Sequence, residues 1–282
     1  MKVVAETLGV ARSNLNARLV GAQCAPRSRY NKADDAWLLP KIRALTDGRP
    51  TYGYRRACAM LNRGLALEDK AAVNHKRVYR IMRQNDLLLE RHTGKRPGRI
   101  HEGRIITLHR NTRWCSDIFE IPCWNGEVVR VAFSLDCCDR EVIDHIGTTG
   151  GISGQMIRDL MVDSVERRFG SLDRLQRPVQ WLSDNGSAYT AHETVAMARA
   201  LGLMPCTTPV CGPESNGMAE AFVKTFKRDY VFVHDRPDAT TVLQQLAHWF
   251  NDYNENAPHK GLQMKSPRQF IRSHFATASC PV

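Results

Sequence analysis

From Arg113 onward the chain spells three strand-like runs and then a regular alternation of helix and strand, and few folds accept that order. "RWCSDIFEIPC" and "EVVRVAFSLDCC" are joined by "WNGE", whose Asn125-Gly126 pair suits the tight turn of an antiparallel hairpin. "REVIDHIGTT" supplies a third strand. In "SGQMIRDLMVDSVERRFG" the residues Met156, Leu160 and Val165 recur at helical spacing, with Ser153 placed to cap the helix and Gly170 to stop it. "PVQWLSD" reads as a fourth strand, "AHETVAMARALG" as a helix closed by Gly202, and "LMPCTTP" as a short fifth strand. "SNGMAEAFVKTFKRDYVF" and "TTVLQQLAHWFNDYN" are helical again. Three antiparallel strands followed by α, β, α, β, α predict an α/β protein with a mixed five-stranded sheet and helices on both faces.

The preceding part has a different texture. "DDAWLLPKIRALTDG", "TYGYRRACAMLNR" and "NHKRVYRIMRQNDLLL" read as short helices, the last with Val78, Ile81 and Met82 on one apolar face and Arg77, Arg80 and Arg83 around it, a cluster expected to contact a DNA backbone although a solvated basic face fits it as well. "VAETLGVARSNLNARL" has the Ala5-to-Gly9 spacing of a helix-turn-helix, with Ala11 to Leu19 as its recognition segment, although a plain helical hairpin fits the same pattern. "RHTGKRPGRIHEGR" is basic, rich in Gly and Pro, and aperiodic, which predicts a linker. The expected organisation is a small all-helical, helix-turn-helix-like DNA-binding region over residues 1–90, a basic linker over 91–105, and an α/β core over 106–275 that includes a C-terminal helical segment.

Charge follows the same division. The chain has 282 residues and a net charge of +11, but residues 1–113 hold 24 Lys and Arg against 9 Asp and Glu, and residues 114–282 hold 16 against 20. A basic front half predicts a polyanionic partner, because each phosphate contact releases counterions. An acidic rear half is a poor passive binder of nucleic acid, so metal ions are expected to mediate its phosphate contacts. No run of eighteen apolar residues exists, and the N-terminus lacks the continuous apolar stretch of a signal peptide, so a cytoplasmic protein without membrane contact is expected. The nine cysteines include no CxxC pair and suggest reduced thiols.

Asp117 lies in or at the end of the first predicted strand, Asp184 at the end of the fourth, and Glu220 early in a later helix. Sites in open α/β sheets form beyond the carboxyl ends of strands, where these three acids can meet. Clustered carboxylates suit phosphodiester cleavage, in which two Mg2+ ions about 3.5–4 Å apart activate the nucleophile and neutralise the leaving oxygen. Lys224 and Lys227 share a helical face with Glu220 and suit phosphate, although an ordinary surface pair explains Lys224 as well. Competing acids are Asp136, Asp139 and Glu214; turn aspartates such as Asp136 usually bond their own backbone. Ser187 and Asn216 suit phosphate or helix-cap contacts, and His145, His192, His234 and His259 read as structural. On the residues alone, metal-dependent phosphoryl transfer, an RNase H-like nuclease and a non-catalytic DNA-binding regulator all remain open.

The words "RWCSD", "SDNGS" and "ESNGMAEAFVKTFKRDY", with 35 residues between Asp184 and Glu220 (220 − 184 = 36), resemble the DDE transposase and retroviral-integrase superfamily. "TYGYRR", "KRVYRIMR" and "LDCCDRE" are similar to the OrfB transposase component of the IS-three family of bacterial insertion sequences, in its IS-two-like branch. The resemblance covers about residues 50–272. It implies an RNase H-like integrase core in which Asp117, Asp184 and Glu220 bind two Mg2+ (or Mn2+) ions. It also implies strand cleavage and 3′-hydroxyl strand transfer at insertion-element ends and target DNA. An OrfA fusion or partner, a homo-oligomer on DNA and a nucleoid-associated location go with it. The N-terminal His/Cys zinc module of retroviral integrases is missing here, and so are sustained heptads.

Overall fold

The computed structural model describes residues 2–7, 9, 35–90, 107–172, 175, 177–207 and 216–275. The segment from Ala11 to Leu19, the expected linker over 91–105 and Glu214 lie outside the described residues.

After a short helix, α1 (Lys2–Thr7), three helices form a module with its own apolar centre: α2 (Leu38–Gly48), α3 (Tyr54–Leu67) and α4 (His75–Gln84). Leu38 and Ile42 from α2, Ala57, Leu61 and Leu65 from α3, and Val78, Ile81 and Met82 from α4 close on one another. Their spacings of three and four put each set on one helical stripe. The Asn74 side chain accepts from the Lys76 N–H and so starts α4.

The sheet has the order β3-β2-β1-β4-β5, from β1 (Arg113–Pro122), β2 (Val128–Asp136), β3 (Val142–Thr148), β4 (Val179–Ser183) and β5 (Leu203–Thr207). β1, β2 and β3 are antiparallel neighbours, and β4 and β5 run parallel to β1. Gly126 turns the first hairpin at φ 90°, a conformation that costs glycine little. Helix α5 (Gly154–Phe169) is capped by Ser153, whose hydroxyl accepts from Met156 N, and stopped by Gly170 at φ 75°. After β4 come α6 (Ser187–Thr190) and α7 (His192–Ala200); the chain continues through α8 (Gly217–Asp229), α9 (Ala239–Asn256) and α10 (Pro267–Phe275).

Strand alternation divides the core. Cys115, Phe119 and Ile121 meet an aromatic layer from α8 and α9 that includes Phe222, Phe226, Trp249, Phe250 and Tyr253. Trp114 and Trp181 meet Ile157, Leu160, Met161 and Val165 of α5, with Tyr189 and Ala198, on the other face. The helical module is joined to the core by ion pairs: Arg49 grips Asp252 of α9, and Arg56 meets Asp229 at the end of α8 at 2.8 Å. Thr51 also donates to Asp229 at 2.6 Å, and Arg63 donates to the carbonyls of Asn256 and Met264. No helix among the described residues is long and apolar enough to cross a membrane.

Candidate active site

The β1–β4 register pairs Arg113 with Gln180, Trp114 with Trp181 and Cys115 with Leu182, a constant offset of 67 (182 − 115). The ladder ends there; Asp117 stands two residues further along β1, and Asp184 two residues beyond Leu182, just past the end of β4. Asp117 alternates with Cys115 and Phe119, so it shares the sheet face covered by α8. Ala219, Phe222 and Phe226 of α8 are buried against that face, which brings Glu220 over it from the first turn of the helix. Asn216, at the entry to α8, donates from Nδ2 to the Ser116 carbonyl at 3.2 Å and ties that end of the helix to β1 beside Asp117.

Electrostatics report the same meeting. Burial pushes the Asp117 carboxyl above the usual carboxylate range, and although the Ile118 N–H pulls it down, the charges of Asp184 and Glu220 raise it again. Lys227 opposes them. Each acid is turned to a nearby donor. Asp117 Oδ1 accepts from Ile118 N at 2.8 Å, Asp184 Oδ1 from Gly186 N at 3.0 Å, and Glu220 Oε2 from Lys224 Nζ at 3.2 Å. Among the described residues no three His, Cys, Asp or Glu side chains already converge on one ion position. The donor set, three hard carboxylates whose charges already act on one another, fits Mg2+ or Mn2+.

Gly186 matters by close approach: a Cβ there would stand 2.9 Å from Asp184 Oδ1. Lys224 is exposed, and the Lys227 ammonium lies 5.7 Å from the centre of the Phe119 ring. The three arginines around α4 differ. Arg77 Nε bonds Asp35 Oδ1 at 2.7 Å and Arg80 pairs with the other Asp35 oxygen, whereas Arg83 is exposed in the last turn.

Asp136 and Asp139 have structural partners. Asp136 accepts from the backbone of Asn111 and Cys138, each at 2.7 Å, and with Asp139 it surrounds the buried Arg168 guanidinium. His145 stacks on Phe250 with ring centres 3.9 Å apart, His234 bonds the Tyr230 carbonyl, and His259 packs edge-on against Tyr253. Asn216 makes no side-chain cap to α8; its Nδ2 donates to the Ser116 carbonyl instead. Sequence reasoning passed over Ser116 and Tyr189, whose hydroxyls share a buried 2.8 Å hydrogen bond beside Asp117; the only signal was adjacency to the acids.

Comparison with known proteins bears on the fold and the family. Models of the integrase core domain match residues 108–213 and 203–267, and an HTH-like domain model matches residues 32–96. The chain is 48% identical over 276 residues to the Escherichia coli "Transposase InsD for insertion element IS2A/D/F/H/I/K", covering 96% of this chain and 91% of that protein. The InsD transposase for IS2-9 of strain K12 is also 48% identical, with 96% and 89% covered. One chain of a simian T-cell lymphotropic virus intasome, solved with the PP2A regulatory subunit B56 gamma, superimposes with a TM-score of 0.50 at 16% identity over 86% of this chain and 77% of that one, a likeness of fold. The chain belongs to the insertion-element transposases that carry an integrase catalytic core, a family of polynucleotidyl transferases.

Proposed function

We propose that Asp117, Asp184 and Glu220 are the catalytic acids of this transposase and that together they hold two Mg2+ (or Mn2+) ions. The family uses divalent metal ions in general, and the observation that carries the assignment is that the charges of Asp184, past the end of the neighbouring parallel strand, and of Glu220, in the first turn of α8, both bear on the Asp117 carboxyl. Bound there, the metal supplies Lewis-acid activation of the attacking oxygen and neutralisation of the leaving one. The chain's own residues do the rest. The carboxylates fix where the reacting phosphodiester sits, and they form no covalent bond to it. Water cleaves the strand at the element end, and the freed 3′-hydroxyl then attacks a phosphodiester of the target. Lys224 and Lys227, along the same face of α8, neutralise the phosphates that flank the reacting one. Arg83 of the helical module contacts the DNA backbone at a distance, with Arg77 and Arg80 holding α4 in place through Asp35.

The substrate is the pair of ends of its own insertion element together with a target duplex. Joining two ends calls for more than one active site, so a homo-oligomer assembled on DNA, with an OrfA fusion or partner supplying further end contacts, is the working form. Labelled duplexes bearing the element's ends test the reading with Mg2+ and with chelator. Joined products that vanish with chelator are expected; cleavage without joining points to a nuclease, and binding without cleavage to a regulator.

A further inference from the structure

The three acids come from separate stretches of chain, and one residue touches all three stretches. Ser116 precedes Asp117 in β1 and is fully buried. Its hydroxyl shares a 2.8 Å hydrogen bond with the phenol of Tyr189, in the short helix that follows Asp184. Its carbonyl accepts from Asn216 Nδ2 at 3.2 Å, at the entry to the helix that carries Glu220. Tyr189 and Asn216 are themselves only 4% and 6% exposed. The far end of the amide, Asn216 Oδ1, is buried without a hydrogen-bond partner, so the Ser116 bond is what orients that side chain.

The sheet does not do this work. The last pair of the β1–β4 ladder is Cys115 with Leu182, so regular pairing stops before the acids are reached. Asp117, Asp184 and Glu220 repel one another, and their backbone segments need an attachment that the repulsion cannot pull apart. A buried hydrogen bond meets that need, because breaking it strands polar groups away from water.

We propose that Asn216, Ser116 and Tyr189 form a positioning bridge that fixes the spacing of the three carboxylate-bearing segments, so that the divalent site is pre-organised before any cation arrives. The inference rests on the reading of the three acids as a metal site. Tyr189→Phe and Ser116→Ala each delete one half of the same bond, and Asn216→Ala deletes the other arm. All three residues are buried, so the bridge acts through the acids.

The test uses the full chain. Calorimetric titration with MnCl2, without DNA, gives divalent affinity, and strand transfer against Mg2+ concentration separates half-saturation from maximal rate. Tyr189→Phe and Ser116→Ala are each expected to weaken Mn2+ binding about fivefold, the size of one net buried hydrogen bond. The Mg2+ half-saturation point should rise by the same factor, with the rate at saturation near wild type. The double variant should be no worse than either single one, because both remove one interaction. If the singles melt earlier yet bind Mn2+ with wild-type affinity, or if the double variant shows the product of the two losses, the bridge is structural only and the proposal falls. Asp117→Asn identifies the level of failure. If Asp117→Asn loses Mn2+ binding while the bridge variants keep it, the bridge alone is wrong. If Asp117→Asn binds Mn2+ like wild type, the metal-site reading is wrong and the bridge goes with it.

Discussion

Arg49 and Asp252, 203 residues apart in sequence, face each other with two hydrogen bonds of 2.6 Å, one to each carboxylate oxygen. Asp252 also accepts from the Tyr230 hydroxyl at 2.8 Å and from Asn256 at 2.9 Å, so each of its carboxylate oxygens accepts twice. The geometry is the two-pronged one that a guanidinium makes best. It joins the helical module to the longest helix of the core. Arg49→Ala leaves a nearly buried carboxylate without its cation, and the expected loss is about 2–3 kcal/mol, somewhat below the value for a fully buried pair because Arg49 is partly exposed. Arg49→Lys should recover only part of it. Urea unfolding of the full chain measures this, and a loss under about 0.5 kcal/mol would show that the module is held by its apolar contacts instead.

Acid should weaken the fold in two steps. Burial lowers His145 to about 4, with Arg167 adding to the effect, and burial lowers His259 to about 3. These imidazoles are neutral in the fold but take up protons near 6.5 when unfolded, so stability is full above that pH and declines as pH falls toward 4. Burial alone would raise Asp229 and Asp252, but Arg228 and Arg56 on the first and Arg49 on the second hold both below the usual carboxylate value. Their contribution is present above about pH 4 and is lost as pH drops through the lowered folded values. His145→Phe keeps the stack on Phe250 and should remove part of the upper step while leaving the lower one. Chemical denaturation between pH 7 and pH 3 reads both, and an unchanged upper step in His145→Phe refutes the assignment.

Binding to DNA should separate the three arginines of α4. Arg83 is exposed, so Arg83→Ala should weaken binding uniformly across sequences and reduce the slope of log affinity against log salt by about one. Arg77→Ala and Arg80→Ala each strip Asp35 of a partner and should lower the melting temperature more than the salt slope. Salt titrations on a labelled duplex decide it. A salt slope that falls equally in all three variants would mean that Asp35 yields its arginines to phosphate.

Chemistry and stability should come apart at the acids. Asp117→Asn, Asp184→Asn and Glu220→Gln are expected to abolish strand transfer while melting and DNA binding stay near wild type, and any two combined should cost little more than one, as groups acting as a unit do. Asp136→Asn is the contrast. Its carboxylate is fully buried against two backbone N–H groups and Arg168, so melting should drop while the folded fraction still joins DNA. Normal strand transfer by Asp184→Asn would remove it from the site.

The order of strands and helices was readable because each element carries its own local signal: Asn125-Gly126 in the hairpin, Ser153 and Gly170 at the ends of α5, and apolar spacing in α8. The acids were readable as positions, since Asp184 ends a strand and Glu220 opens a helix. Contacts between distant residues left no such mark. Nothing local distinguishes Arg49 or Arg56, which turn toward the core, from Arg83, which turns outward, because a basic residue reads the same whether it meets phosphate or a buried aspartate. Ser116 and Tyr189 were hidden for the same reason: a small polar residue in a strand and a tyrosine in a short helix become a bridge only when the fold packs that helix against β1.

Gly186 offers the most local test of how closely Asp184 must be held. Its backbone angles of φ −58° and ψ 143° are open to any residue, so alanine brings no backbone strain. What alanine cannot avoid is the Asp184 carboxylate, whose Oδ1 would lie 2.9 Å from the new Cβ. The carboxylate is exposed and can swing, so the fold should absorb the methyl at little cost. The swing carries the Asp184 carboxylate away from its place near Asp117, and a displacement near 1 Å at a reacting centre can cost about a hundredfold in rate. Gly186→Ala should therefore melt like wild type, bind DNA like wild type and join strands some tens of times more slowly, with a raised Mg2+ requirement. If its strand transfer equals wild type at low Mg2+, the orientation of Asp184 set by the Gly186 N–H has no bearing on catalysis.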